Sequence, residues 1–324
     1  MKIMIVTNKG VYSIKEGQSG WNMLTHIFSK KHQILCLRKQ DLFSFYFHYL
    51  KFKPDIIVTG WVPAGMVPVI FKKFGLVKCP ILHAWEDYYA EQMTNYPYSI
   101  VKFMEWFVVK FSDYIVTMSN YNKSIAEKMG KKVYFVPHGV SKDVKKTTIN
   151  LDKLKTEREN LKVIYLGEQN KYKKVDEIIK AVKGLKCDLF LFGKTNEEFR
   201  KLGNKNVHFM GYINSKEVPS ILKQADILVN TSDQDSNFKF FEYIKAGKPI
   251  LAFDGRPRYL FTHKENAYLT KDFSKGIKEL IENKNLRKKL EKNIKKMKTL
   301  TWEEVAEEDI RIYTEIVKSN KINK

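Results

Sequence analysis

Short apolar runs alternate with longer amphipathic stretches along the chain. The runs fall at Ile3–Thr7, Gln33–Leu37, Asp55–Thr59, Ile81–His83, Tyr114–Met118 and Val133–Val136. A second series follows at Lys162–Leu166, Asp188–Phe192, Val207–Met210, Ile227–Asn230 and Pro249–Phe253. They are rich in Ile, Val, Leu and Phe and lack strict apolar–polar alternation, which suits parallel strands covered on both faces. Between them lie helical patterns, as at Trp21–Lys31, Tyr98–Phe111, Lys123–Lys128, Val175–Lys183, Ser215–Gln224 and Phe240–Lys245. Strand–helix alternation of this kind predicts an α/β fold with doubly wound parallel sheets. The alternation breaks once, at Ser141–Asn160, where the chain is polar, highly charged and without a strand pattern. The expected organisation is therefore a Rossmann-like domain over 1–145, a linker over 146–160 and a second Rossmann-like domain over 161–300. Ligands of such sheets bind outside the carboxyl ends of the strands, so a cleft between the domains is the expected site.

The 324 residues allow two domains, and 44% hydrophobic residues can fill two cores. Lys and Arg number 58 against 36 Asp and Glu, a formal charge of +22. Such an excess attracts nucleic acid, a phospholipid surface or a phosphorylated small molecule. Residues 271–299 alone hold eleven basic and four acidic side chains. Cys36, Cys79 and Cys187 are odd in number and widely spaced, so no disulfide framework is expected. No Cys/His cluster has zinc-ligand spacing. The apolar run in MKIMIVTNKG is too short for a signal peptide or a membrane span, and no other segment reaches about 18 uncharged apolar residues. The chain is expected to be soluble or to lie on a membrane without crossing it.

Chemistry is sought just after the strands. In DQDSNFKFFEYIKAGKPILAF, Asp233 to Phe253, a strand runs through a polar loop into a helix carrying Lys239 and Glu242 in its first turn. Three residues apart, these share one helix face at an end rich in free N–H groups, which suits a phosphate. Lys239 adds a cation, and Glu242 is an acceptor fit for ribose hydroxyls. In YLGEQNKYKKVDEIIKAV, Gly167 ends a strand and Lys171, Lys173 and Lys174 precede a helix, placed to hold a diphosphate. In CPILHAWEDYY, His83 closes an apolar strand before Trp85, Glu86 and Asp87. An imidazole there could bond a substrate hydroxyl and titrate near neutral pH. His138 in VPHGV is the other histidine at a strand end. The first loop holds Gly10, Gly17, Ser19 and Gly20; these do not form G-x-G-x-x-G, and no P-loop is present. Ser19 could cap the following helix, and the glycines permit close approach by a ligand. Each of these features also has an ordinary structural reading, as a capped helix, a solvated lysine or a buried histidine. Finally, FSFYFHYLKFK and VIFKKFGLVK interleave aromatics with lysines as lipid-interface segments do, whereas YSIVKFMEWFVVKF reads as a core helix.

The order of these pieces resembles the GT-B glycosyltransferases, specifically the large retaining family four (glycosyl transferases group 1), over nearly the whole chain. SDYIVTMSNYN through VPHGV is similar to that family's a-D-x-v-x-x-S and v-x-x-P-N-G-V segments, with Asp113, Ser119, Pro137, Gly139 and Val140 matching and His138 in the place of Asn. VIYLGEQNKYKKVDEIIKAV is similar to v-G-R-l…K-G-v-d-x-l-i-x-A, with Gly167, Lys173, Val175 and Asp176 matching; Glu168 replaces Arg, and Lys174 replaces Gly. SNFKFFEYIKAGKPILAF is similar to S-P-x-K-x-x-E-y-m-A-x-G-x-P-v. The segment from Thr301 is similar to closing helices that return to the first domain, so 301–324 is expected to pack there.

The resemblance implies transfer of a sugar from a UDP- or GDP-sugar, with retention, without an essential metal and with the nucleotide sugar as substrate rather than cofactor. It assigns Lys173 and Lys239 to the diphosphate, Glu242 to the ribose and His83 to the donor sugar. Gly167, Lys171, Gln234, Asp235, Ser236, Asn237 and Phe238 complete the donor side; Gly10, Gly17, Ser19, Gly20 and Asp87 form the acceptor-side loops. Gln234 stands where an acidic residue often contacts sugar hydroxyls, between Asp233 and Asp235. The acceptor is expected to be lipid-linked, a glycan or a surface polymer, at the cytoplasmic face of a membrane that the protein touches peripherally. Two alternatives remain. One is a GT-B protein that acts on or binds nucleic acid through its basic surface, although no helix-turn-helix, RRM or finger pattern is present. The other is a nucleotide-sugar-binding protein without transfer activity, which Glu168 and Gln234 would explain.

Overall fold

The computed structural model describes residues 1–7, 20–86, 88–93, 95–140, 160–169, 173–195, 197–214 and 217–322. The chain divides into two compact units, Met1–Gly139 with Leu300–Lys324, and Val140–Thr299.

The first unit runs β1 (Lys2–Val6), α1 (Gly20–Ser29), β2 (Gln33–Leu37), α2 (Phe45–Phe52), β3 (Ile56–Gly60), α3 (Val62–Lys73), β4 (Ile81–Ala84), α4 (Tyr89–Gln92), α5 (Tyr98–Phe111), β5 (Tyr114–Thr117), α6 (Asn120–Lys128) and β6 (Val133–Phe135). The short β7 (Gly139–Val140) marks the boundary. Six parallel strands form one sheet in the order β2-β1-β3-β4-β5-β6. In β1, Ile3 and Ile5 enter one core with Leu24 and Phe28, while Met4 and Val6 enter another with Phe45, Val69 and Val108. Both faces are covered, which is why the strand reads as a continuous apolar run.

The second unit runs β8 (Leu161–Leu166), α7 (Val175–Ala181), β9 (Cys187–Phe192), α8 (Glu197–Leu202), β10 (Val207–Gly211), α9 (Val218–Leu222), β11 (Ile227–Asn230), α10 (Phe238–Ala246), β12 (Ile250–Phe253), β13 (Tyr268–Thr270), α11 (Phe273–Glu282) and α12 (Lys284–Ile294). Its six strands are parallel, in the order β10-β9-β8-β11-β12-β13. The chain then returns to the first unit through β14 (Leu300–Thr301) and α13 (Trp302–Ile322). There Val305, Ile312 and Ile316 of α13 join the core beneath α1, and Tyr313 meets Phe28 edge-on with ring centres 5.8 Å apart.

Cys36, Cys79 and Cys187 are free thiols. Among the described residues no helix is long and apolar enough to cross a membrane. The edge strand β13 has no counterpart in the sequence pattern, because its three residues are too few to show a period.

Candidate active site

In the second unit the strand order reverses between β8 and β11, which pair through Tyr165 and Val229. Outward connections from these neighbours leave a crevice at their carboxyl ends, the usual ligand position in an open sheet. Gly167 follows β8 and donates its N–H to the Phe192 carbonyl at 2.8 Å. Gly193, just after β9, has φ 127°, and a β-carbon there would fall 2.1 Å from the Gly167 carbonyl oxygen. Glycine at 193 is what lets the two strand-end turns cross.

Helix α10 begins at the end of the loop leaving β11. Asn237 caps it, its Oδ1 accepting from the Lys239 N–H at 3.1 Å, and Gly247 at φ 67° closes it. Phe240, Tyr243 and Ile244 bury its inner face. The Tyr243 hydroxyl donates to the Val229 carbonyl at 3.2 Å and accepts from the Leu166 N–H at 3.1 Å. One buried phenol thus fastens the helix to both strands flanking the crevice, and burial raises its pKa far above the ordinary value. The helix N-terminus, with its free N–H groups and partial positive charge, is held at the strand ends.

Lys239 lies across this entrance. Its Cε would be 3.2 Å from a β-carbon on Gly167, and its Nζ sits 4.4 Å from the centre of the Phe238 ring. Burial first, and then the Lys173 ammonium, lower its pKa to about 8, while the Glu168 carboxylate acts in the opposite sense. Lys239, Lys173, Glu168 and Gly167 are therefore one cluster. The Lys173 carbonyl accepts the Thr231 hydroxyl, which fixes the lysine turn against the end of β11. Glu242 sits one turn into α10 and is buried, as are Asp235 and Ser236 in the preceding loop. Two cations at a helix N-terminus, with a carboxylate one turn further in, can hold a diphosphate and an adjoining diol.

Several buried polar atoms line the same strand ends without a hydrogen-bond partner among the described residues: both side-chain polar atoms of Gln169, Asn230 Nδ2, Gln234 Nε2 and Thr195 Oγ1. The Gln169 N–H donates to the Lys194 carbonyl at 3.0 Å, which sets this side chain beside the turn after β9. Unpaired buried groups cost about 1–3 kcal/mol each, and a ligand that bonds them relieves the cost.

In the first unit, His83 lies in β4 opposite Thr59 of β3. It is fully buried, its Nδ1 is 2.8 Å from Thr59 Oγ1, and its Nε2 has no partner among the described residues. The expectation that it titrates near neutral pH is wrong, because burial holds the ring neutral with a pKa of about 4. The turn beyond it is fixed by Glu105, whose carboxylate accepts from Trp85 Nε1 and from the N–H groups of Tyr89 and Ala90 at 3.1, 2.8 and 3.3 Å. Trp61, immediately after β3, holds φ 91° and ψ 124°, a strained conformation for any residue with a side chain.

One expected cation and one expected carboxylate have other work. Lys174 occupies the left-handed region at φ 48°, and its Nζ lies 4.1 Å from the centre of the Phe253 ring. Asp233 accepts from the Arg256 N–H at 2.7 Å with Arg256 Nε 3.6 Å away, which makes it a loop latch. Gly10, Gly17, Ser19, Asp87 and Lys171 lie outside the described residues, and Gly20 opens α1. The sequence reading missed Gln169, Thr231, Tyr243 and Gly193. The last had a visible signal, a glycine directly after an apolar strand, as at Gly167.

Residues 146–297 match the family model described as glycosyl transferases group 1. An uncharacterized glycosyltransferase of Methanocaldococcus jannaschii, MJ1069, is 26% identical over 306 residues, covering 84% of this chain and 78% of that protein. Anabaena Alr3699/HepE, solved with UDP and glucose, superposes with a TM-score of 0.70 at 14% identity, covering 97% of this chain and all of that one. Sucrose-phosphate synthase from Thermosynechococcus elongatus superposes with a TM-score of 0.77 at 12% identity, covering 98% of this chain and all of that one. The fold is GT-B. Both sheets belong to it, and the group 1 match covers the unit that carries Lys173, Lys239 and Glu242, which points to the glycosyltransferase class.

Proposed function

We propose that this GT-B protein is a retaining, metal-independent glycosyltransferase using a UDP- or GDP-sugar as donor. Its acceptor is lipid-linked, a glycan or a surface polymer, presented at the cytoplasmic face of a membrane. The observation that carries the reading is the meeting of Lys239 and Lys173 beside Gly167 at the amino end of α10. In this reading the two ammonium groups and the helix N-terminus hold the donor diphosphate, and Glu242 accepts from the ribose hydroxyls. As the bond to the sugar breaks, charge builds on the leaving diphosphate, and cations already in place lower the barrier. UDP bound to the Anabaena neighbour supports a uridine donor.

Glu168 sits within electrostatic reach of Lys239 and works against a bound diphosphate, so the lysine pair and the helix end must outweigh one exposed carboxylate. The family resemblance assigns the donor sugar to His83, whose buried ring is neutral. Retention through two inversions would need a placed carboxylate nucleophile. A same-face route assisted by the donor phosphate needs no such nucleophile.

A thermal-shift series against UDP, GDP, ADP and their sugars tests the donor. Specific binding raises the melting temperature by mass action, by about 2.7 kcal/mol of stability at a hundredfold excess over Kd. The active donor should then give transfer or slow hydrolysis that Lys239→Ala and Glu242→Ala abolish, with the anomer of the product read by NMR. No response to any nucleotide would overturn the reading.

A further inference from the structure

Helices α2, α3 and α5 cover one face of the first unit's sheet, their inner side chains Phe45, Val69, Val101 and Val108 sharing one core. The outer side of this layer is unlike an ordinary wet surface. Phe74 and Phe47 are 77% and 64% exposed, and Phe103 and Trp106 are 55% and 47% exposed. The sequence reading of α5 as a plain core helix is therefore corrected, since only its Val101, Glu105, Val108 and Val109 positions are buried. Rings connect across the layer and stiffen it. Tyr46 stacks on Phe71 at 5.2 Å, Phe103 lies 5.8 Å from Trp106, and Phe107 lies 4.8 Å from Phe111. The Lys73 ammonium sits 3.5 Å from the centre of the Phe111 ring, joining α3 to α5.

Charge identifies the occupant. The three helices carry Lys51, Lys72, Lys73, Lys102 and Lys110 and a single acidic residue, Glu105, which is buried on Trp85, Tyr89 and Ala90. Lys72 is engaged by Asp113 at 2.8 Å, and the other four lysines have no carboxylate on these helices to answer them. A second copy of this face would set lysine against lysine. At the layer's edge, a groove of about 390 Å³ lies among Tyr49, Leu50, Lys53, Leu76, Lys78 and Lys321. It has an apolar floor and three ammonium groups, and its one carboxylate, Asp55, accepts from the Lys2 N–H at 2.7 Å. Outward aromatics with lysines and no exposed acid fit an anionic bilayer, where each lysine near the surface is worth about fivefold in affinity.

We propose that the α2–α3–α5 face is a docking surface for an anionic phospholipid bilayer. Phe47, Phe74, Phe103 and Trp106 enter the acyl boundary, and the Lys53–Lys78–Lys321 groove receives a phospholipid headgroup. This deepens the transferase reading and rests on it for its purpose, by supplying the lipid surface on which the acceptor is met, but binding can be measured apart from it.

The test floats the full-length chain with vesicles of phosphatidylcholine alone or with 30% phosphatidylglycerol, at 0.1 and 0.5 M salt, while UDP affinity is measured on the same preparations. Binding should require phosphatidylglycerol and fall at least tenfold at the higher salt. A Phe103→Ser/Trp106→Ser variant and, separately, a Phe47→Ser/Phe74→Ser variant should each lose about tenfold in vesicle binding with UDP affinity unchanged. Using two exposed pairs keeps the test decisive should one variant misfold. Equal binding to both vesicle types, wild-type binding by both variants, or a dimer that the serine variants dissolve would overturn the proposal. Vesicle binding by a chain that binds neither UDP, GDP nor ADP would uphold the docking surface and overturn the transferase reading; nucleotide binding without vesicle binding would overturn docking alone.

Discussion

Lys239 crosses the entrance of the second unit over Gly167, so closely that a β-carbon on the glycine would lie 3.2 Å from the lysine Cε. Gly193, by contrast, faces the Gly167 backbone, with its added β-carbon 2.1 Å from the carbonyl oxygen. A flexible side chain can yield where a backbone cannot. Gly167 at φ 154° also holds a conformation that strains any side chain, and the Tyr165 hydroxyl lies 3.1 Å from the added β-carbon, so Gly167→Ala should lower the melting temperature as well as weaken UDP binding about tenfold. Gly193→Ala should destabilise by about 3 kcal/mol or more, as strain at an over-packed site does. Melting curves of the two variants with and without UDP check both outcomes.

The Lys239 ammonium, lowered to about 8 by burial and by Lys173, makes donor affinity depend on pH. A bound diphosphate favours the charged lysine and raises its pKa, so binding takes up a proton above about pH 8. The diphosphate itself is fully ionised there, since its last pKa is about 6. UDP affinity should therefore fall by about tenfold from pH 8 to 9.5, and Lys239→Met should flatten that slope. Calorimetry in two buffers of different ionisation enthalpy would show the proton directly. A wild-type slope like that of the methionine variant contradicts the assignment.

Gln169 is buried, and among the described residues neither its amide nitrogen nor its oxygen is bonded. Gln169→Leu removes an unsatisfied amide, so the free protein should gain about 1 kcal/mol in stability. If a donor group bonds this amide, the same change weakens donor binding. The pair of signs is the prediction, and denaturant melts with UDP-sugar titrations read it. A less stable variant would mean the amide already has a partner.

Asp309 of α13 is buried, and its carboxyl is pushed up to about 8 by burial and then by Glu308. A folded pKa above the unfolded value near 4 means the native state holds the extra proton between them. The stability associated with that proton is complete below about pH 4 and is lost as pH rises through 8. Asp309→Asn, fixed in the neutral form, should match wild type at pH 4 and melt several degrees higher at pH 8.5. Equal melting temperatures at both values would show a solvated carboxylate.

Much of the fold was legible because both sheets are buried on both faces, so apolar runs such as IMIV and ILVN stand out. The end of α10 was legible for a local reason, Gly247 closing the helix before Pro249, whereas its start at Phe238 under the Asn237 cap lies two residues before the Phe240 that the pattern gave. The orientation of charged side chains was not. Nothing in the spacing of Lys173 and Lys174 says that the second adopts a left-handed conformation and turns to Phe253. The neutrality of His83 depends on enclosure by β3 and its neighbours, a tertiary property. Tyr243 reads as one more apolar helix residue, and only the packed strands reveal its two bonds. The α5 aromatics look alike in sequence, and only the helix phase separates inner Val108 from outer Trp106.

The central claim is that Lys239 and Lys173 at the tip of α10 hold a nucleoside diphosphate, with Glu242 on its ribose. Titration of UDP and of uridine into wild type, Lys239→Met and Glu242→Ala tests it most directly. The lysine variant should lose at least tenfold for UDP while binding uridine as wild type does, and the glutamate variant should weaken for both. Undiminished UDP affinity in both variants would contradict the account.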